Sequence, residues 1–249
     1  MKGLILPIVI SLIISGSTAC SEPQKRADET GTQPKQKVVK KTRDDGSLSS
    51  VSQVDEKGFI HGIRVNYYND GQTVHSKVTY NHGIKEGPAI WYYRDGKVFE
   101  HTSFADGKRD GLTRKYHKNG QLLSECEYKT GNPLPGLVEY NEDGSKVTDY
   151  PEVRIRKIDK LAFENRVILE ISSDIKTDKV KYYFQLEFDN GQRSRSYFRS
   201  DNGFATLEYR VAPGDVLIKN IEFFAELPTT MGNTQVKKVT YQLAAKNMG

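Results

Sequence analysis

Five histidines, two cysteines and scattered carboxylates are the residues of this 249-residue chain with reactive or metal-binding chemistry to offer. All the histidines (His61, His75, His82, His101, His117) fall in one region, which raises imidazole-metal chemistry first. A zinc set needs closely spaced ligand pairs, and no two of these histidines have helix-face spacing or a cysteine or carboxylate cluster to complete them. Asp174, Asp178 and Asp189 lack the alternating order of a calcium loop. No Gly-x-Ser-x-Gly elbow, dinucleotide fingerprint or P-loop occurs. Asp44 and Asp45 adjoin each other in a polar stretch where nothing tunes a carboxyl group. Cys126 has no activating base near it and reads as a small core residue rather than a nucleophile. The expectation is a protein with no catalytic residue, no metal and no cofactor.

Cys20 offers chemistry of another kind. Lys2 precedes an apolar run over residues 4–14, broken only by Pro7 and Ser11, and Gly16-Ser17-Thr18-Ala19 follows. This is the layout of an export signal over residues 1–19, too short to span a membrane comfortably. Ala19-Cys20 resembles the lipobox of bacterial lipoproteins, with Ser17 where Leu is usual. The resemblance implies acylation of Cys20 and a membrane anchor, and Ser21 after it points to the outer membrane. Ordinary cleavage after Ala19 is the alternative. With Cys20 acylated, Cys126 is left as a lone thiol and no intramolecular disulfide can form.

The spacing that organises the chain is architectural. Gly62, Gly87, Gly111 and Gly136 recur at intervals of 25, 24 and 25 residues. A second set closes the triplets Asn69-Asp70-Gly71, Arg94-Asp95-Gly96, Lys118-Asn119-Gly120 and Glu142-Asp143-Gly144. A third, Gly83, Gly107 and Gly131, follows Tyr80, Phe104 and Tyr128 by three residues each time. Another aromatic column runs through Tyr67, Tyr92, Tyr116 and Tyr140. Asp-Gly and Asn-Gly between aromatic and β-branched runs are hairpin turns, because glycine accepts φ > 0 without a Cβ clash. The expectation is an antiparallel β-meander with all these glycines at turns and the aromatics packed on one another as ladders across the sheet.

The pattern Gly-x-x-x-x-Tyr-Tyr-x-Asp-Gly, seen from Gly62 to Gly71 and from Gly87 to Gly96, resembles the MORN repeat. More narrowly it resembles the bacterial variant labelled as YwqK-type antitoxins. The resemblance spans about a third of the chain, with His117 in place of a second aromatic and Pro133 and Pro135 marking an atypical last copy. It specifies architecture far better than function. The antitoxin label would imply a toxin partner, which sits poorly with an export signal.

Residues 20–56 contain no aromatic residue and are rich in Lys, Asp, Glu, Gln, Ser and Thr, a composition that reads as a disordered tether. The array then occupies residues 57–150. Residues 151–249 carry seven candidate strands (153–158, 166–172, 180–188, 194–199, 204–211, 216–227 and 236–244) separated by glycine turns. That count suggests a β-sandwich of immunoglobulin-like type. The fold class expected is therefore all-β, with no helix after the signal.

The formal net charge of +5 is mild, and together with export it argues against a nucleic-acid partner. Two function classes remain. One is a non-enzymatic, membrane-tethered envelope lipoprotein that acts as a protein-interaction scaffold, with an envelope or surface protein as partner. The other is an envelope binding module for a glycan or small ligand. Tyr68, Tyr93 and His117 are the expected protein contacts. Each stands beside a ladder residue, so strand alternation would turn it to the opposite face.

Overall fold

A computed structural model describes residues 37–189 and 193–249. The expected signal peptide, Cys20 and residues 20–36 of the expected tether lie outside the described residues. What is described is all-β, with antiparallel pairing and a single one-turn helix.

The repeats fold as one 11-stranded meander. Its strands are β1 (Lys37–Thr42), β2 (Leu48–Val54), β3 (Ile60–Tyr67), β4 (Val74–Asn81), β5 (Ile84–Tyr92) and β6 (Val98–Ala105). There follow β7 (Lys108–Arg109), β8 (Gly111–Tyr116), β9 (Leu122–Lys129), β10 (Asn132–Pro133) and β11 (Val138–Glu139). The short β7 pairs with β6, and both β10 and β11 pair with β9.

Two turn chemistries alternate along this sheet. In the first, a glycine N–H closes on the carbonyl three residues back, as in Gly71 to Tyr68 (3.0 Å), Gly96 to Tyr93 (3.0 Å) and Gly120 to His117 (2.8 Å). The Asp or Asn before the glycine accepts the N–H two residues ahead, as Asp70 does from Gln72 (2.9 Å) and Asn119 from Gln121 (2.9 Å). The second kind is a two-residue turn: His82-Gly83, Asp106-Gly107 and Thr130-Gly131, with φ positive at both positions. That conformation matches the right-handed twist of the flanking strands.

Gly62, Gly87, Gly111 and Gly136 also have positive φ, between 88° and 110°, yet they do not form the expected turns. Gly62 and Gly87 lie inside β3 and β5, where the pairing slips opposite Gln53 and Thr79. They are bulge glycines, which bend a strand where one residue opposes several. The remaining glycines of the three sets (Gly71, Gly83, Gly96, Gly107, Gly120, Gly131, Gly144) all have positive φ as well.

Two further expectations need correction. Residues 37–56, assigned to the tether by composition, form β1, β2 and the start of the turn after β2. In β2, Ser50, Ser52 and Val54 are buried, so small residues that could not fold alone are covered by neighbouring strands. The aromatic columns also do not pack ring on ring along the sheet. Equivalent residues are two strands, about 10 Å, apart, beyond the 4.5–7 Å of ring contact. Cations fill the gaps instead: Lys77 over Tyr92, Lys85 over Phe104 (4.9 Å) and Arg109 over Tyr128.

Small side chains make the buried row of the array: Ser52, Val78, Ala89, Thr102, Thr113 and Cys126. Their polar atoms satisfy one another, as in Thr102 Oγ1 to Thr113 Oγ1 at 2.5 Å. Burial pushes the Cys126 thiol up from its ordinary pKa, which keeps it protonated.

The rest of the chain is a two-sheet sandwich. Its elements are β12 (Val153–Lys160), α1 (Leu161–Glu164), β13 (Arg166–Ser173), β14 (Lys181–Glu187), β15 (Arg193–Phe198), β16 (Ser200–Asp201), β17 (Phe204–Arg210), β18 (Val216–Pro228) and β19 (Thr234–Lys246). The sheet orders are β12-β13-β17-β16 and β15-β14-β18-β19. Relabelled A to G with C′, these are the A-B-E-D and C′-C-F-G sheets of an immunoglobulin-like sandwich. Val167, Leu169 and Ile171 from one sheet meet Tyr182, Ile221, Phe223 and Leu243 from the other. In place of a Cys-Trp-Cys centre, Tyr182 stacks on Phe198 and meets Phe223 edge-on. Its hydroxyl donates to the Gly203 carbonyl at 2.9 Å.

Candidate interaction surface

The column of Tyr68, Tyr93 and His117 sits at the first residue of each four-residue turn, where the strand has already ended. These side chains reach along the array rather than away from it. The Tyr68 hydroxyl donates to the Tyr92 carbonyl (2.6 Å), and the Tyr93 hydroxyl to the Tyr116 carbonyl (2.7 Å). His117 Nε2 lies 2.7 Å from the Tyr140 carbonyl and donates to it as the Nε2–H tautomer. Tyr68 and Tyr93 are half-buried and His117 is buried. Burial raises the pKa of Tyr93, reinforced by the negative charges of Asp95 and Glu142. Tyr68 is further enclosed by His75 edge-on and the Arg94 guanidinium over its face. The column's first chemistry is therefore to join one repeat to the next.

Arg43 is a member of this column that sequence reasoning missed. Its Nη2 donates to the Tyr67 carbonyl at 2.8 Å, and its turn closes with Gly46 as the others do. The signal was there: Arg43-Asp44-Asp45-Gly46 stands 25 residues before Tyr68-Asn69-Asp70-Gly71.

The histidines are spread over different tasks. His82 Nδ1 lies 2.6 Å from Asp55, and its ring sits 4.7 Å from that of His61 at a 41° tilt, with the buried Nδ1 of His61 lacking a hydrogen-bond partner among the described residues. His75 packs on Tyr68. Among the described residues, no three His, Cys, Asp or Glu side chains converge on a point where they could hold a metal ion.

Large apolar side chains stand exposed along the other side of the array. Phe59 and Ile84 are each 53 % exposed, Ile63 47 % and Leu112 42 %. Phe59 and Ile84 occupy equivalent positions 25 residues apart, each directly after a turn glycine, Gly58 and Gly83. A Cβ at Gly83 would touch Phe59, and one at Gly107 would touch Ile84, so each lies against the following turn.

The array and sandwich meet through polar contacts. Glu139 is buried, and its Oε1 accepts from Thr229 Oγ1 (2.7 Å) and Asn233 Nδ2 (2.6 Å). Lys115 Nζ donates to Asn233 Oδ1 at 2.7 Å, and burial lowers the pKa of this lysine. Arg195 donates to the Pro133 carbonyl at 2.8 Å while pairing with Glu226. Beside this contact a cleft of about 890 Å³ opens, with Lys108, Leu134, Phe188 and Tyr197 in its lining. Its lysine Lys129 is paired with Asp110 and its arginine Arg193 with Glu187.

Comparison with known proteins gives one family match. No curated protein and no solved structure matches the chain. The matched segments each contain one hairpin about a four-residue turn, and the turns at Gly46 and Gly71 show the same geometry outside them. Over residues 85–106 and 109–130 the chain is similar to the MORN repeat variant.

Proposed function

We propose that the chain is a non-enzymatic, lipid-anchored envelope protein whose repeat sheet is a scaffold for protein partners. MORN repeats are generally associated with protein and membrane interactions. The observation that carries the reading is the set of exposed apolar side chains Phe59, Ile63, Ile84 and Leu112 on the repeat sheet, whose Tyr68 and Tyr93 are engaged within it. Apolar side chains exposed on a sheet favour a contact that removes them from water. Cys20, acylated after signal cleavage, would hold this sheet at the membrane, which in a diderm cell is the outer membrane. Tyr68, Tyr93 and His117 contribute indirectly, by fixing the spacing of the repeats.

A second reading, an envelope module for a glycan or small ligand, rests on the cleft between β10 and β14–β15, where Phe188 and Tyr197 offer apolar surface beside Lys108. Cross-linked pull-down from envelope membranes separates the two. Phe59→Ser/Ile84→Ser should lose partners that the wild type retains, and an unchanged partner set would reject these side chains as the contact. Turnover of envelope glycans by the purified protein would reject the non-enzymatic reading.

A further inference from the structure

We infer that β1 is a strand-acceptor edge for an extended acidic segment of a partner protein, an inference that rests on the scaffold reading above. Among the described residues β1 has a single neighbour, β2, so alternate N–H and C=O groups of residues 37–42 point away from the sheet. Its sequence is Lys-Val-Val-Lys-Lys-Thr, with Lys37, Lys40 and Lys41 all exposed. None of the three is in an ion pair among the described residues. Pairing with a second copy of the same strand would bring six lysines into one short ladder, so like charge disfavours self-association. A segment bearing carboxylates has the opposite sign.

The pleat places those charges. Lys37, Val39 and Lys41 line a groove of about 250 Å³ that continues over Val54 and Ile60. An incoming strand would set acidic, apolar and acidic side chains against that face, and a third carboxylate near Lys40 on the other.

A second observation is independent of charge. At each later turn a side chain of the preceding repeat donates to the carbonyl at the strand end: Arg43 to Tyr67, Tyr68 to Tyr92, Tyr93 to Tyr116 and His117 to Tyr140. Thr42 holds the equivalent place at the end of β1, 25 residues before Tyr67. Among the described residues no side chain donates to its carbonyl. The last edge of the array, by contrast, meets the sandwich through Glu139. Among the described residues, this edge thus presents a main-chain ladder, three cations and one acceptor in the register of a further strand.

The test uses the full-length protein and, as probe, a fluorescent peptide Thr-Glu-Glu-Val-Val-Glu, which in antiparallel register sets Glu opposite Lys37, Lys40 and Lys41 and Val opposite Val38 and Val39. Anisotropy should show binding that weakens about tenfold in Lys37→Glu/Lys40→Glu/Lys41→Glu, the sum of three cross-strand charge pairs. Amide exchange at residues 37–42 should slow when the probe is added. The same peptide with alternate N-methyl groups keeps its charge but cannot form the ladder, and it should not bind. Equal binding of the methylated peptide, or no change in exchange over residues 37–42, overturns the inference in favour of plain charge attraction. Retention of envelope partners by the charge-reversed variant would also overturn it, while leaving the scaffold reading in place.

Discussion

The phenolic hydroxyl of Tyr68 donates to the carbonyl of Tyr92, 24 residues further along the chain and 2.6 Å away. The bond recurs from Tyr93 to Tyr116, so the column couples repeats that strand pairing alone would join only through their edges. Tyr68→Phe and Tyr93→Phe keep the ring and remove the donor. Each should destabilise the array by about 0.5–1.5 kcal/mol in urea melts, the usual net worth of one hydrogen bond. Stability equal to wild type in both variants would show that the bonds are incidental to the repeat.

Gly62 and Gly96 both have positive φ, but they differ in what surrounds them. A Cβ at Gly96 would meet nothing within 4 Å, whereas one at Gly62 would lie 2.1 Å from Gln53 Oε1. That oxygen is held in place by the Ile63 N–H at 2.8 Å. Gly96→Ala should therefore cost only backbone strain, about 1–3 kcal/mol. Gly62→Ala should cost more, and adding Gln53→Ala should recover part of the excess. A double-mutant cycle between positions 53 and 62 measures it, and zero coupling would remove the steric argument.

How much of this was legible beforehand depends on whether a residue's surroundings are local. The β13 strand was expected over 166–172 and spans Arg166–Ser173, because Val167, Leu169 and Ile171 alternate against a core that exists. The hairpin of β1 and β2 was read as tether because Ser50 and Ser52 carry no apolar signal of their own. Their burial comes with the pairing of β2 to β1 and β3, which composition within one segment does not register. Alternation likewise misplaced Tyr68: the pairing of β3 with β4 slips between Asn66 and Tyr67, so counting faces through that point fails. The Glu139 contacts join residues 90 and 94 positions apart, and no spacing rule reaches that far.

Alkaline pH should weaken the sandwich before the array. Burial pushes Tyr182 and Tyr183 up from 10.0 to about 12 each. The unfolded chain releases these protons near pH 10, while the native state holds them. Between pH 10 and 12 the native state therefore binds more protons, and stability falls as pH rises. The stabilisation is fully present below pH 10 and is lost on passing upward through the folded values. Tyrosinate absorbance followed alongside near-ultraviolet circular dichroism should show these two hydroxyls ionising together with loss of structure. Ionisation near pH 10 with the fold intact would contradict the burial argument.

The contact of Glu139 with Thr229 and Asn233 sets whether array and sandwich unfold as one body. Oε1 of this buried carboxylate takes both donors, and Asn233 in turn accepts from Lys115. Glu139→Ala would leave Thr229 and Asn233 without their acceptor, at a cost of about 1–3 kcal/mol for unsatisfied buried groups. The loss falls on the junction rather than on either core, because the cluster of Val167, Leu169, Tyr182 and Phe223 is untouched. Calorimetry should thus change from one cooperative transition in the wild type to two in Glu139→Ala, with the array melting first. Glu139→Gln keeps one carbonyl oxygen able to accept, and it should restore most of the coupling. A single transition shifted uniformly in Glu139→Ala would mean that the Arg195 to Pro133 bond and the Tyr150 hydroxyl on the Glu139 N–H suffice to hold the two together.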